Sequence, residues 1–291
     1  SQLGVFLAIV AMGLIIAADD PRAVAARVAV AGGLASAILI VVSTLLLRER
    51  PEYRERGATE PLPALADVWK NPHARLLLAV TGIENLGGAT IGILTLYVSE
   101  YIVGSANLAP LFILCYMVPS VAFVPLWIPI SRRIGKKRLW LGALVLTACS
   151  FGGMFFLDEG DVFQISILAL TAGVAAGAGG TIAPSIQADV IDYDEYQTGE
   201  RKEGAYFSAW NFVFKSAYGV TLMLTGYVLQ LSGFEPNVEQ TEEVKFALRC
   251  LYGAFPFVCY MLGALLVSRF RLDEDAYAHI RAELRARESG S

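Results

Sequence analysis

Long apolar runs separated by short polar breaks dominate the chain. A helix that crosses the hydrocarbon of a bilayer needs about 20 apolar residues. Eight runs reach or approach that length, at 3–18, 28–47, 76–103, 108–130, 139–157, 162–186, 204–231 and 246–267. Strands of a membrane barrel would be about half as long and would alternate apolar with polar positions, which these runs do not. The pattern predicts an all-α polytopic membrane protein with both ends on one side. The first run is short, and the chain opens at Ser1 without a cationic leader or a cleavage site. It therefore reads as beginning inside a larger membrane protein.

The longest break, 48–72, carries Pro51, Pro61, Pro63 and Pro72 among charges. It predicts a linker between two helices (1–47) and a bundle of six (73–268), with a polar tail at 269–291. Six helices after such a linker is the size of half a major-facilitator transporter. Breakers cluster within two of the six. Pro110, Pro119, Pro125 and Pro129 fall in one, and Gly173, Gly177, Gly179, Gly180 and Pro184 in another. Small residues allow close helix approach and prolines kink helices, so these two spans are expected either to pack tightly or to bend during function.

Composition agrees with this picture. Hydrophobic residues make up 55% of the chain, charged residues 17%, and the mean hydropathy is +0.54. A soluble domain is nearer 25% charged, so the chain is placed in the bilayer, with no nucleic-acid partner. The four cysteines lie in apolar runs without metal-ligand spacing and read as small core residues. His73 and His279 read as surface residues, and no cofactor motif is present.

The cations are sharply divided. The loops at 48–75, 131–138 and 201–202 and the tail hold 18 Lys and Arg, whereas the opposite loops hold only Arg22, Arg27 and Lys245. Lys215 and Arg249 are assigned to the spans. By the positive-inside rule, the termini and basic loops are cytoplasmic and the protein belongs in a cell membrane, the inner membrane in a bacterium.

Lys215 is the most informative position. It sits about 16 Å into the run 204–231 at 1.5 Å per residue, too deep for its stem to reach either interface easily. On a helix its face reads Gly204, Ser208, Asn211, Lys215, Tyr218 and Gly219, while the other side is bulky and apolar. An unpaired ammonium at that depth costs roughly 2.5–3.5 kcal/mol, so Lys215 is expected to face a wet cavity together with Asn211 and Ser208. A structural ion pair between helices is the alternative. Glu84 and Asn85, within the run 76–103, are expected to face the same cavity.

After the run 162–186 come Asp189, Asp192, Asp194 and Glu195, read as an acidic loop that needs nearby cations. Arg201, Lys202 and the basic run 131–138 are candidates. Asp189 and Asp192 with Arg132, Arg133 and Arg201 would then form a cytoplasmic gate. A solvated loop is one alternative. A magnesium-dependent membrane prenyltransferase is another, but it would require a second Asp-rich motif facing the first.

The segment D-x-x-D-Y-x-E-x-x-T-G-x-R-x-E-G at 189–204, followed by Ser208 and Lys215, resembles the glycoside–pentoside–hexuronide:cation symporters, the family of the melibiose permease. The basic run 131–138 and the loop 236–240 are also similar to that family. The resemblance implies a major-facilitator fold and makes the chain helices five to twelve, with the first four helices as its missing partners. It also implies alternating access and coupling of a sugar, glycoside or hexuronide to Na⁺ or H⁺. Trp210 and Asn211 depart from the family's pattern just before the lysine, so the resemblance does not specify a galactoside. A cation-coupled lipid carrier of the same fold remains a second reading.

Overall fold

The computed structural model describes residues 20–46, 61–200 and 202–270, together with isolated positions before residue 20 and residue 283. The chain forms two compact units, Ser1–Arg56 and Gly57–Ser291. In the first, helix α1 spans Pro21–Leu46. It starts seven residues before the apolar run because Asp20 accepts the Ala23 N–H at 3.2 Å and proline is pre-organised for the first helical turn.

In the second unit the expected linker is partly helical. Residues 61–70 form α2 (Pro61–Lys70), again opened by a proline. Its Val68 is buried against the ends of the helices that follow. Then come α3 (Pro72–Tyr101), α4 (Ala109–Ala122), α5 (Val124–Ile134), α6 (Lys136–Met154), α7 (Val162–Thr198) and α8 (Glu203–Leu231). The last column is α9 (Glu242–Arg249), a five-residue π segment (Cys250–Ala254) and α10 (Phe255–Ser268). With α4 and α5 counted as one broken span, the described residues of this unit form six columns, as a half-transporter requires. No strand occurs among the described residues.

Prolines set two irregularities. Between α4 and α5 the axis bends by 53°, because Pro125 has no N–H for the Val121 carbonyl and its ring crowds that turn. In the last column Pro256 likewise cannot serve Tyr252, and the backbone widens instead, with the Phe255 N–H reaching Cys250 O.

The columns pack in a chain of neighbours: α8 on α3, α3 on α10, α10 on α6, α6 on α7 and α7 on α4. The last contact is backbone to backbone. A Cβ on Gly173 would lie 2.1 Å from the Tyr116 carbonyl oxygen, and one on Gly177 2.5 Å from that of Ser120. The glycine stripe is thus a close-packing seam. Two apolar clusters fill the bundle. Leu77, Trp140, Ile186 and Tyr206 belong to the one at the basic end, and Leu94, Phe112, Phe151 and Leu248 to the one at the other end. Tyr260 packs against both.

Two expectations need correction, and the placement of Arg249 gains detail. The acidic segment is helical rather than a loop, because α7 runs unbroken to Thr198 and ends at Gly199 in the left-handed conformation (φ 73°). Its 37 residues make a rod of about 55 Å, far longer than the roughly 30 Å of hydrocarbon. Asp189 to Glu195 therefore ride on its extension beyond the apolar part. Arg249, assigned to a span, does fall within one (Glu242–Ser268), near its N-terminal end. It reaches the Leu157 carbonyl at 3.0 Å and pairs with Asp158, at the end opposite the basic loops. His73 is half-buried rather than free on the surface, edge-on to Tyr193 and Phe270.

Candidate functional site

Three constellations carry the polar chemistry. The first is at the basic end. Lys136 pairs with Asp189 at 2.6 Å, bringing the start of α6 to the extension of α7. Gly135, at φ 89°, makes the turn that points Lys136 this way. Arg132 and Arg133, the expected gate partners, stay exposed at the end of α5 and make no ion pair among the described residues. Asp192 lies on the same extension, and Arg201 falls outside the described residues.

Beside this pair, Lys202 is buried to 4% side-chain exposure and binds Asp67 at 3.0 Å, with Glu200 at 3.4 Å. Asp67 also binds Lys70 at 2.9 Å. Asn71 ties the same region together. Its carboxamide oxygen caps α3 by accepting from His73 and Ala74, and its amide donates to the Tyr206 hydroxyl at 2.9 Å. Asp67, Asn71 and Tyr206 were not singled out from sequence. The only signals were the N-cap asparagine before Pro72 and the i,i+3 spacing of Asp67 and Lys70.

The hydrogen bonds from Lys70 and Lys202 hold the Asp67 carboxyl below the ordinary aspartate range. Burial opposes the Lys202 charge, but Asp67, Asp194 and Glu200 outweigh it and raise the amine above its usual value. A depressed carboxyl stabilises above its unfolded pKa and loses that contribution as pH falls through its folded one. A raised amine stabilises below its unfolded pKa and loses it as pH rises through its folded one. Docking of α2 should therefore be constant from about pH 5 to 9 and weaken on acidification below the carboxylate range. Amide hydrogen exchange across Pro61–Lys70, corrected for intrinsic rates, measures this. Asp67→Asn should lower the protection and remove its acid dependence, and unchanged protection would refute the assignment.

The second constellation is the face of α8. Packing on α3 buries Tyr206, Trp210, Ala217, Thr221, Thr225 and Leu229. Thr221 donates to the Leu86 carbonyl at 2.9 Å. Ser208, Asn211 and Lys215 lie on an uncovered side of the same helix. Ser208 and Asn211 each donate to the helix backbone, at 2.7 and 2.9 Å, which leaves their oxygens available outward. Lys215 has no ionic or hydrogen-bonding partner among the described residues. Trp210 points the other way, into the core.

The third is a cavity of about 170 Å³ inside the bundle, lined by Glu84 and Asn85 of α3, Tyr116 of α4, Trp140 and Thr147 of α6, Gly179 and Gly180 of α7, and Tyr260 of α10 among others. Lys215 is not in its wall. Gly82 and Leu86 touch α8, and Glu84, two residues from each, points to the far side of α3. The structure thus keeps Glu84 and Lys215 apart, one inside the bundle and one on its surface. At 170 Å³ the cavity is smaller than the roughly 300–1,000 Å³ of a typical ligand pocket. It suits an ion or water rather than a whole sugar.

The family described as "MFS/sugar transport protein" matches residues 1–274. This chain belongs to that family. Within it, the relatives place the chain in the glycoside–pentoside–hexuronide branch. A glucuronide carrier protein homolog of Escherichia coli (strain K12) is 27% identical over 65% of this chain and 42% of its own length. A putative sulfoquinovose importer of Salmonella typhimurium (strain LT2) is 26% identical over 78% of this chain and 48% of its length. A putative 2,3-dihydroxypropane-1-sulfonate exporter of the same organism is 23% identical over 72% and 46%. The chain thus spans about half the length of the curated relatives it matches. The family is one of membrane transporters rather than enzymes, and nothing in it favours the prenyltransferase reading.

Proposed function

We propose that the whole protein is a secondary transporter that moves an anionic sugar or hexuronide by alternating access, driven by a Na⁺ or H⁺ gradient. The observation that carries this reading is Lys215, a cation without a partner among the described residues, on an uncovered face of an apolar helix and flanked by Asn211 and Ser208. An ammonium held there is costly unless water or an opposing charge meets it, and a cargo carboxylate or sulfonate supplies that charge. The cargoes named for the relatives, a glucuronide, sulfoquinovose and a dihydroxypropane sulfonate, are hydroxylated molecules bearing an acid group. A pair of hydrogen-bonding neighbours beside a cation suits such a molecule.

At the other end, Lys136–Asp189 and Lys202–Asp67 are pairs within this half that would brace the cytoplasmic surface against which the other half closes as the two rock, with Asp192, Arg132 and Arg133 on the same side. The 18-to-3 distribution of cations supports that orientation. The decisive experiment is uptake by the whole protein in proteoliposomes. An imposed Na⁺ or H⁺ gradient should drive accumulation of a hexuronide, with a neutral hexose accumulated far more weakly. Flux of neither under either gradient would refute the reading.

A further inference from the structure

We propose that the Glu84 cavity is a binding site for a sodium ion, held entirely by the bundle formed by residues 72–268. Four observations converge. Glu84 Oε1 is buried and accepts no hydrogen bond. Asn85 spends its amide N–H on the Thr81 carbonyl at 2.7 Å, which leaves the amide oxygen free. Gly180 lines the cavity, and the residue four places on, Pro184, has no N–H to give its carbonyl. Finally, no Lys, Arg or His is in the lining, so among the described residues no fixed cation in that lining neutralises the carboxylate.

The surrounding elements add oxygens and no charge. Tyr116 from α4, Tyr260 from α10 and Thr147 from α6 contribute hydroxyls, while α7 contributes only alanine and glycine. The Trp140 indole N–H lies beside Glu84 but is itself without a partner. It can take one carboxylate oxygen and leave the other to the ion. A carboxylate, an amide oxygen, a free backbone carbonyl and hydroxyls gathered among apolar residues such as Ala143, Leu144 and Ala175 suit a hard cation. A single carboxylate balances one positive charge and not two, which selects a monovalent ion. The 170 Å³ of space accommodates an ion with a few waters, at about 30 Å³ per water. A proton on Glu84 would balance the charge but leave the acceptors of Asn85 and Gly180 unmet. The role of this ion in coupling rests on the transporter reading above, whereas its binding does not.

The test is a count of radioactive sodium bound by the purified whole protein. Glu84→Gln should lower the number bound by one per protein, and Glu84→Asp should retain the site with affinity weakened about tenfold. Pro184→Ala returns an N–H to the Gly180 carbonyl and favours the helix, so the protein should fold and bind this ion about tenfold more weakly. That variant keeps the test valid should Glu84→Gln fail to fold. Glu100→Gln, at an exposed position outside the cavity, should change nothing. Folded Glu84→Gln or Pro184→Ala protein with unchanged sodium number and affinity would overturn the site. So would a wild type whose thermal stability responds to acid but not to exchanging choline for sodium. Counting sodium needs no cargo, so a wild type without flux would refute the transport reading while the sodium count still decides this one.

Discussion

Gly173→Ala is expected to lower the thermal stability of the whole protein sharply, and Gly173→Leu to prevent its folded expression. The added Cβ would lie 2.1 Å from the Tyr116 carbonyl oxygen, and its next two neighbours are also backbone atoms. No side-chain rotation relieves such a contact. Helices α4 and α7 must move apart by more than an ångström along a seam that Gly177 extends to Ser120. Overpacking of a tight core costs about 1–3 kcal/mol where side chains yield. Here the backbone must yield, and the polar Trp127–Val174 hydrogen bond at 3.1 Å beside the seam would be strained as well. Gly142→Ala supplies the contrast, since its Cβ meets nothing within 4 Å, and it should leave the melting temperature unchanged or slightly higher. Unfolding in detergent, followed by tryptophan fluorescence, reads both. Equal melting temperatures for the Gly173 and Gly142 variants would show that the seam does not hold the bundle together.

Lys215→Gln should do the opposite, sparing the fold and removing the function. Lys215 lies on an uncovered face and makes no contact that the bundle depends on, so the melting temperature should stay near that of the wild type. A charge-assisted hydrogen bond to an anionic cargo is worth about 1.5–3 kcal/mol, which corresponds to roughly 10- to 100-fold in affinity. Uptake of a hexuronide should fall by that factor. Lys215→Glu, which opposes the cargo charge, should abolish it, and Lys215→Arg should keep a measurable part. A Lys215→Gln protein that transports an acidic sugar at the wild-type rate would remove the central claim about this residue.

Much of the architecture was legible from the chain. Apolar runs of membrane length gave the helices, and the breakers of 108–130 and 162–186 marked two special spans, of which the structure bends the first and packs the second tightly. These features are written locally, because the backbone must satisfy its own hydrogen bonds in lipid and a helix records its buried and small faces at a fixed spacing. The polar face of Lys215, Asn211 and Ser208 was legible for the same reason.

Partner choice was not. Sequence offered Arg201, Lys202 and the whole basic run 131–138 to the acids of α7, with Arg132 and Arg133 singled out for the gate, and the fold gave Lys136 to Asp189, just after the turn at Gly135. It gave Lys202 to Asp67, which lies in a stretch that reads as a linker, and it turned Glu84 inward while leaving Lys215 outside. Such outcomes depend on which helices become neighbours and how each is rotated about its axis. A one-residue change of position turns a side chain by about 100°, and composition carries no record of the angle finally chosen. The chain by itself determined that it is a helical membrane bundle with a charge it must explain. Only the tertiary structure decided which charge each polar group meets, because that is settled by packing between columns far apart in sequence.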